Sequence, residues 1–281
     1  MFVSSASQPV PVARTVRSAL RLAAGLLLTP AAFALALCVA PRLTLSETPA
    51  SVSAFAGATL FPILGLALAA TVEVRWAFTL AIGACAAVLL LTLSVKPGSP
   101  VVTALLVDMA LPSASWALGC SLGRRVQHAA HLLPACVVAA SADLVSLLSP
   151  EGPSHAIASS DRALSVLATW FPVPGAAALA PALGVGDLLF LALAFGVARA
   201  HGLPYARCVL AGLVGTALAG AAAAWSDIAV PALVPIAAMF VLALPAIRRL
   251  RRQDRAAAHW SMLIAGSVAL ATIARTWLSR R

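Results

Sequence analysis

Apolar residues run along this chain in blocks of about twenty, separated by short stretches rich in Arg, Pro, Ser and Gly. A helix rises ~1.5 Å per residue, so a block of that length spans the ~30 Å hydrocarbon layer of a bilayer. Nine such blocks fall at about 22–40, 52–72, 76–95, 100–122, 131–149, 182–200, 205–225, 228–247 and 258–278. Only the turn Glu73-Val74-Arg75 separates the second from the third. A further apolar stretch, 163–180, holds Pro172, Pro174 and Gly175. Those breakers favour an extended or re-entrant segment over a spanning helix. The pattern therefore predicts one all-α domain, a polytopic transmembrane helical bundle of about nine spans, with eight to ten as the range.

Composition sharpens this. The chain is 62% hydrophobic and 10% charged, with a mean hydropathy of +0.99, which needs lipid as solvent and excludes a soluble domain. Cys38, Cys85, Cys120, Cys136 and Cys208 are scattered through the apolar blocks without a CxxC, so neither a metal site nor a disulfide framework is expected. No cofactor is implied. The net charge of +10 comes from Arg at block ends, which speaks for membrane topology and against nucleic acid. With the amino terminus inside, thirteen Lys and Arg residues fall on the cytoplasmic side and six, namely Arg42, Lys96, Arg162, Arg275, Arg280 and Arg281, on the other. That split follows the positive-inside rule. Arg14, Arg17 and Arg21 ahead of the first block read as an export signal retained as a signal anchor. Abundant Ala and Arg with a single Lys point to a high-GC bacterial genome and a cytoplasmic membrane.

Two acids break the apolar pattern. Asp187 stands in Gly184-Val185-Gly186-Asp187 at the head of one block, and Asp143 lies 44 positions earlier in another. An ionisable side chain inside a span costs ~2.5–3.5 kcal/mol on insertion scales and marks a functional site by default. Under the orientation above, the segment 150–181 between their helices faces outward. Helix rise then puts Asp143 and Asp187 roughly 9 and 7.5 Å below one surface. Two carboxyls facing each other at low dielectric do not both ionise easily. The charged one can take a proton from an attacking water while the neutral one donates to a carbonyl oxygen. Gly184 and Gly186 would let an extended substrate backbone, or a partner helix, come close to Asp187.

At these residues the chain resembles a known family. Gly184-Val185-Gly186-Asp187 is similar to the GxGD signature of intramembrane aspartyl proteases. The stretch from Ala142-Asp143-Leu144 to Pro150-Glu151-Gly152-Pro153 resembles the presenilin segment around its first catalytic aspartate. Pro231-Ala232-Leu233 resembles the presenilin PAL motif of a late helix. Prepilin peptidases share GxGD, but usually carry Lys where this chain has Leu189, together with a Cys-rich loop absent here. The resemblance to presenilins and signal peptide peptidases implies a presenilin-like fold and proteolysis within the membrane. It implies Asp143 and Asp187 as the catalytic pair, and Gly184, Val185, Gly186, Pro231, Ala232 and Leu233 as residues that hold substrate. Its partners would be membrane-protein substrates and the bilayer. The outward loop matches the signal peptide peptidase orientation, which would favour substrates with a cytoplasmic amino terminus. Three departures stand out. Ala142 replaces the usual Tyr, four spans precede the Asp143 helix where presenilin has five, and one extra span follows the PAL helix. On this reading 1–125 forms amino-terminal helices without a matched motif and 126–281 a catalytic region.

Other features have plainer readings. Asp108, in Leu105-Leu106-Val107-Asp108-Met109, has no motif around it and reads as structural. Gly119-Cys120-Ser121-Leu122-Gly123 fits GxSxG but lacks the strand-turn-helix context of a serine nucleophile. His128 and His131, with no acid nearby in sequence, make a poor zinc site. Ala211, Gly215 and Ala219 at four-residue spacing read as tight helix packing. Trp170, Trp225, Trp260 and Trp277 read as interfacial anchors near span ends. Arg248-Arg249-Leu250-Arg251-Arg252 reads as a topological charge cluster able to meet anionic headgroups. Two other functions stay open: an ion- or proton-coupled transporter using Asp108, Asp143 and Asp187, and a silent relative that binds membrane segments without cutting them.

Overall fold

A computed structural model describes residues 12–43, 46–73, 76–96, 98–176, 178–226 and 230–279. Val74 and Arg75 of the expected turn, the start of the 228–247 block, Arg280 and Arg281 lie outside the described residues. About 82% of the structure is helical. In chain order the helices are α1 (Val12–Val39), α2 (Glu47–Ala70), α3 (Trp76–Val95), α4 (Pro100–Ser115), α5 (Ser121–Arg125), α6 (Leu132–Leu148), α7 (Pro153–Ala158) and α8 (Asp161–Leu167). Strands β1 (Ala168–Pro172) and β2 (Leu179–Gly184) follow, then α9 (Val185–Ala200), α10 (Tyr205–Ser226), α11 (Leu233–Ala243) and α12 (Arg252–Ser279).

Seven helical stretches among the described residues are long and apolar enough to cross a membrane. They rest on α1, α2, α3, α4 continued through α5, α6, α10 and α12. The protein is thus an integral membrane protein built as a helical bundle. The two other expected spans are helices of 16 residues (α9) and 11 residues (α11). The α9 helix begins at Val185 instead of 182, because 179–184 is extended as β2. A run such as Leu-Ala-Pro-Ala-Leu-Gly reads equally as helix or buried strand by hydropathy alone.

The α9 helix is the centre of the bundle. Leu188, Leu191, Ala192, Ala194, Phe195 and Val197 have no exposed surface, and α2, α4, α5 and α10 surround them. Close packing on one side depends on glycine. A methyl at Gly123 would sit 2.3 Å from the Leu193 carbonyl oxygen, and one at Gly119 would sit 2.5 Å from that of Leu189. Between α4 and α5, residues Trp116–Cys120 form a π-helical turn, which interrupts the α-helical phase beside Gly119. This is the setting of the GxSxG-like string, and it is a packing surface. The Ala211-Gly215-Ala219 ladder packs in the same way. A methyl on Gly215 would lie 2.5 Å from the Ile236 Cα, and Ala211 and Ala219 are buried.

The apolar stretch 163–180, expected to be extended or re-entrant and not a spanning helix, is extended only from Ala168 onward. Its first part closes α8, with Val166 buried in the helix, and only then does the chain enter a hairpin. The strands pair antiparallel, Trp170 with Pro181, Phe171 with Ala180 and Pro172 with Leu179, with an irregularity between Ala168 and Trp170. Gly175 takes a positive φ of 77° in the turn, where a side chain would be strained. Its N–H donates to the Ala40 carbonyl at 3.0 Å, fastening the turn to the end of α1. Non-helical backbone is tolerated at membrane depth only when covered by protein, and α1, α2 and α4 all pack against β1.

Candidate active site

Asp187 lies in the first turn of α9. Its Oδ2 accepts the Gly184 N–H at 3.1 Å, so the carboxylate folds back over the helix start and satisfies a backbone donor there. Asp143 lies near the end of α6, and its Oδ2 accepts the Leu233 N–H at 3.1 Å. Leu233 is the first residue of α11. Asp143 therefore caps a neighbouring helix from 90 positions away, with its carboxyl at the positive end of the α11 dipole.

Both acids line one cavity of about 310 Å³. Gly184, Val185 and Gly186 also line it, as do Pro231, Ala232 and Leu233. The structure thus gathers every residue that the sequence singled out for the site. The glycines face open space. A methyl on Gly186 would meet nothing within 4 Å, and one on Gly184 only the Asp187 carboxylate at 3.5 Å. Among the described residues no helix packs on them, and the space beside Asp187 is open.

Ser154 was not legible as a site residue. The turn after α6 brings Gly152 so close to Ser146 that a methyl there would lie 1.9 Å from the Ser146 carbonyl oxygen. The Ser146 hydroxyl donates to the Ser154 Oγ at 2.8 Å and accepts the Ser154 N–H at 2.7 Å. This places Ser154, at the start of α7, in the cavity wall with Asp143. The only signal was Pro150-Glu151-Gly152-Pro153, a turn followed by Pro at a helix start.

Asp108 does not join the acid pair. It is fully buried on α4, and its Oδ1 accepts the Trp170 N–H at 2.8 Å, 62 positions away. That N–H sits at the irregular pairing of β1. Thr169 works from the other side, its hydroxyl accepting the Leu183 N–H at 3.1 Å. Asp108 thus anchors the strand that pairs with β2, and β2 runs directly into Gly184. The structural reading of Asp108 holds, with a position that supports the site.

Two smaller expectations change. Trp170 is a strand residue with a buried indole nitrogen instead of an interfacial anchor at a helix end; Trp225, Trp260 and Trp277 are exposed. His131 does have an acid in reach, since its Nε2 lies 3.3 Å from the Asp254 Oδ2 of α12. His128 Nδ1 accepts the Ala130 N–H at 3.2 Å, which needs a neutral ring. Desolvation first, then repulsion from Arg251, His131 and His201, lowers its pKa and favours that form. No group of three or more His, Cys, Asp or Glu side chains able to hold a metal occurs among the described residues.

The fold and the site define a helical membrane protein with a paired-carboxylate cavity. No family model, curated protein or solved structure matches the chain.

Proposed function

We propose that this protein is an intramembrane aspartyl protease of the presenilin and signal peptide peptidase type. The observation that carries the reading is the meeting of Asp143 and Asp187 in one cavity with Gly184–Gly186 and Pro231–Leu233. In the reaction, one carboxylate accepts a proton from water as the water oxygen bonds to the scissile carbonyl carbon. The other carboxyl donates its proton to the carbonyl oxygen. Collapse of the tetrahedral intermediate breaks the C–N bond, and a proton returned from the dyad leaves with the amine. No metal or organic group enters these steps.

A substrate helix must unwind locally before its carbonyls become reachable, because helical carbonyls are already hydrogen-bonded. The hairpin supports this step. β2 has one strand partner in a two-stranded sheet, and its Ala182 and Gly184 line the cavity. An unwound substrate adding to that edge would gain backbone hydrogen bonds beside the acids. Ala182→Pro, in β2 and in the cavity wall, probes such pairing and should impair cleavage while leaving expression intact.

A transporter reading with three acids finds less support, since Asp108 is engaged by Trp170 and lies outside the cavity wall. A membrane-anchored reporter co-expressed with wild type, Asp143→Ala and Asp187→Ala separates the readings. Cleavage in wild type lost in both variants supports the protease. Proton-dependent uptake lost in both supports the transporter, and neither activity in wild type leaves a non-catalytic binder.

A further inference from the structure

Asp143 has a second neighbour besides the Leu233 N–H, and the turn after α6 builds it in. Asp143, Ser146 and Leu147 stand at i, i+3 and i+4 on α6, a spacing that puts them on one helix face. Asp143 and Leu147 both line the cavity. Ser146 ties the turn to that face by two hydrogen bonds with Ser154, its hydroxyl donating to Oγ and accepting the N–H. Gly152, buried against the Ser146 backbone, lets the chain double back that tightly, and its N–H donates to the Ser149 carbonyl at 2.8 Å. Ser154 is thereby folded over the Asp143 face, with its side chain hydrogen-bonded to the Asp143 carboxyl.

A hydroxyl has one proton to give and two lone pairs to accept with. Ser154 Oγ already accepts from Ser146, so its own proton is left for Asp143. The two acids are then served unequally. Asp143 accepts the Leu233 N–H and the Ser154 hydroxyl. Asp187 accepts one donor among the described residues, the Gly184 N–H. Donors aimed at a carboxylate favour its charged form, and in a facing pair only one member holds that form easily. The extra donor marks Asp143 as that member.

We propose that Ser154 is a positioning residue whose hydroxyl, oriented by Ser146, holds Asp143 as the charged base of the dyad and leaves Asp187 as the proton donor. The catalytic roles rest on the proteolytic reading; the hydrogen bonds do not. Asp143 takes the proton of water as the water oxygen bonds to the carbonyl carbon, while Asp187 gives its proton to the carbonyl oxygen. On collapse, one hydroxyl of the intermediate returns a proton to Asp187, the C–N bond breaks, and Asp143 hands its proton to the leaving amine. Ser154 gives up no proton in the cycle.

Carbon-13 NMR of the purified full chain in detergent, labelled at the aspartate carboxyl carbon, reads the acids without any cleavage. Each titrates alone when the other is Asn, and Asp143 in Asp187→Asn should ionise at lower pH than Asp187 in Asp143→Asn. Adding Ser154→Ala should move the Asp143 midpoint up by about one pH unit, for one lost hydrogen bond to a charged group. Ser154→Thr should restore it, and the Asp187 midpoint should not respond to Ser154→Ala. In reporter cleavage with the dyad intact, Ser154→Ala should lower kcat about tenfold with KM unchanged. The low-pH limb of its rate profile should shift upward, and Ser154→Thr should rescue both. Thermal melting checks that each variant is folded. An Asp143 midpoint untouched by Ser154→Ala, or an Asp187 that ionises first, overturns the proposal. The expected titration in a protein that cuts nothing would leave the Ser154 tie standing and remove the proteolytic reading alone.

Discussion

The two helices that carry the acids differ sharply. α9, with Asp187, buries nine of its sixteen residues and packs chiefly on α2, α4, α5 and α10, more lightly on α6, through glycine contacts and large apolar side chains. α6, with Asp143, buries only Leu132 and Cys136 of seventeen and leans mainly on α12 and α11. One acid is therefore built into the centre of the bundle. The other sits on a helix with little buried surface, held by the Leu233 backbone N–H at the start of α11 with the Ser154 side chain beside it. The fixed half brings the hairpin and the open glycines; the peripheral half brings α11 and the α7 turn. A substrate approaching laterally from lipid would meet the α6 side, where fewer contacts have to be broken.

Overpacking should separate the two sides most strongly. Gly123→Leu drives a side chain into the Leu193 carbonyl of α9 and should cost about 3 kcal/mol or more. It should lower the thermal midpoint in detergent substantially. Ala139→Leu, on half-buried α6, should stay within about 1 kcal/mol. Similar losses for both would remove the distinction between a fixed and a peripheral helix.

The hairpin anchor comes next in size. Asp108→Leu leaves the Trp170 N–H buried without an acceptor and should cost about 1–3 kcal/mol, with reporter cleavage falling alongside it. Asp108→Asn keeps an acceptor oxygen and should restore most of both. If Asn behaves like Leu, Asp108 acts through its charge and not as a hydrogen-bond anchor for β1.

The smallest effect on stability belongs to Gly186. Its alanine variant meets nothing within 4 Å, so melting should be unchanged or raised by up to about 1 kcal/mol. Cleavage should nonetheless fall, with KM rising, because the open space beside Asp187 is where substrate backbone would lie. Normal cleavage by Gly186→Ala would place the substrate elsewhere.

Much of this was legible in the chain because membrane helices announce themselves by length and hydropathy. The two acids stood out because charge is scarce in spans. What sequence missed are contacts between distant positions. Nothing local tells that Asp108 will meet the Trp170 N–H, that Asp254 will reach His131, or that Ser146 will fold Ser154 toward Asp143. Hydropathy also merged β2 with α9, since a buried strand and a buried helix are equally apolar. The packing glycines were visible as residues, but their partners were not.

The central claim is that Asp143 and Asp187 work as one unit despite standing on such different helices. Cleavage of a purified membrane-segment substrate by reconstituted wild type, Asp143→Asn, Asp187→Asn and the double variant tests it most directly. Groups that act together in one step are strongly non-additive. Each single variant should therefore lose about 10³-fold or more and fall to the same floor as the double, while remaining folded. Cleavage retained by either single variant, or a double variant well below both, would contradict the account.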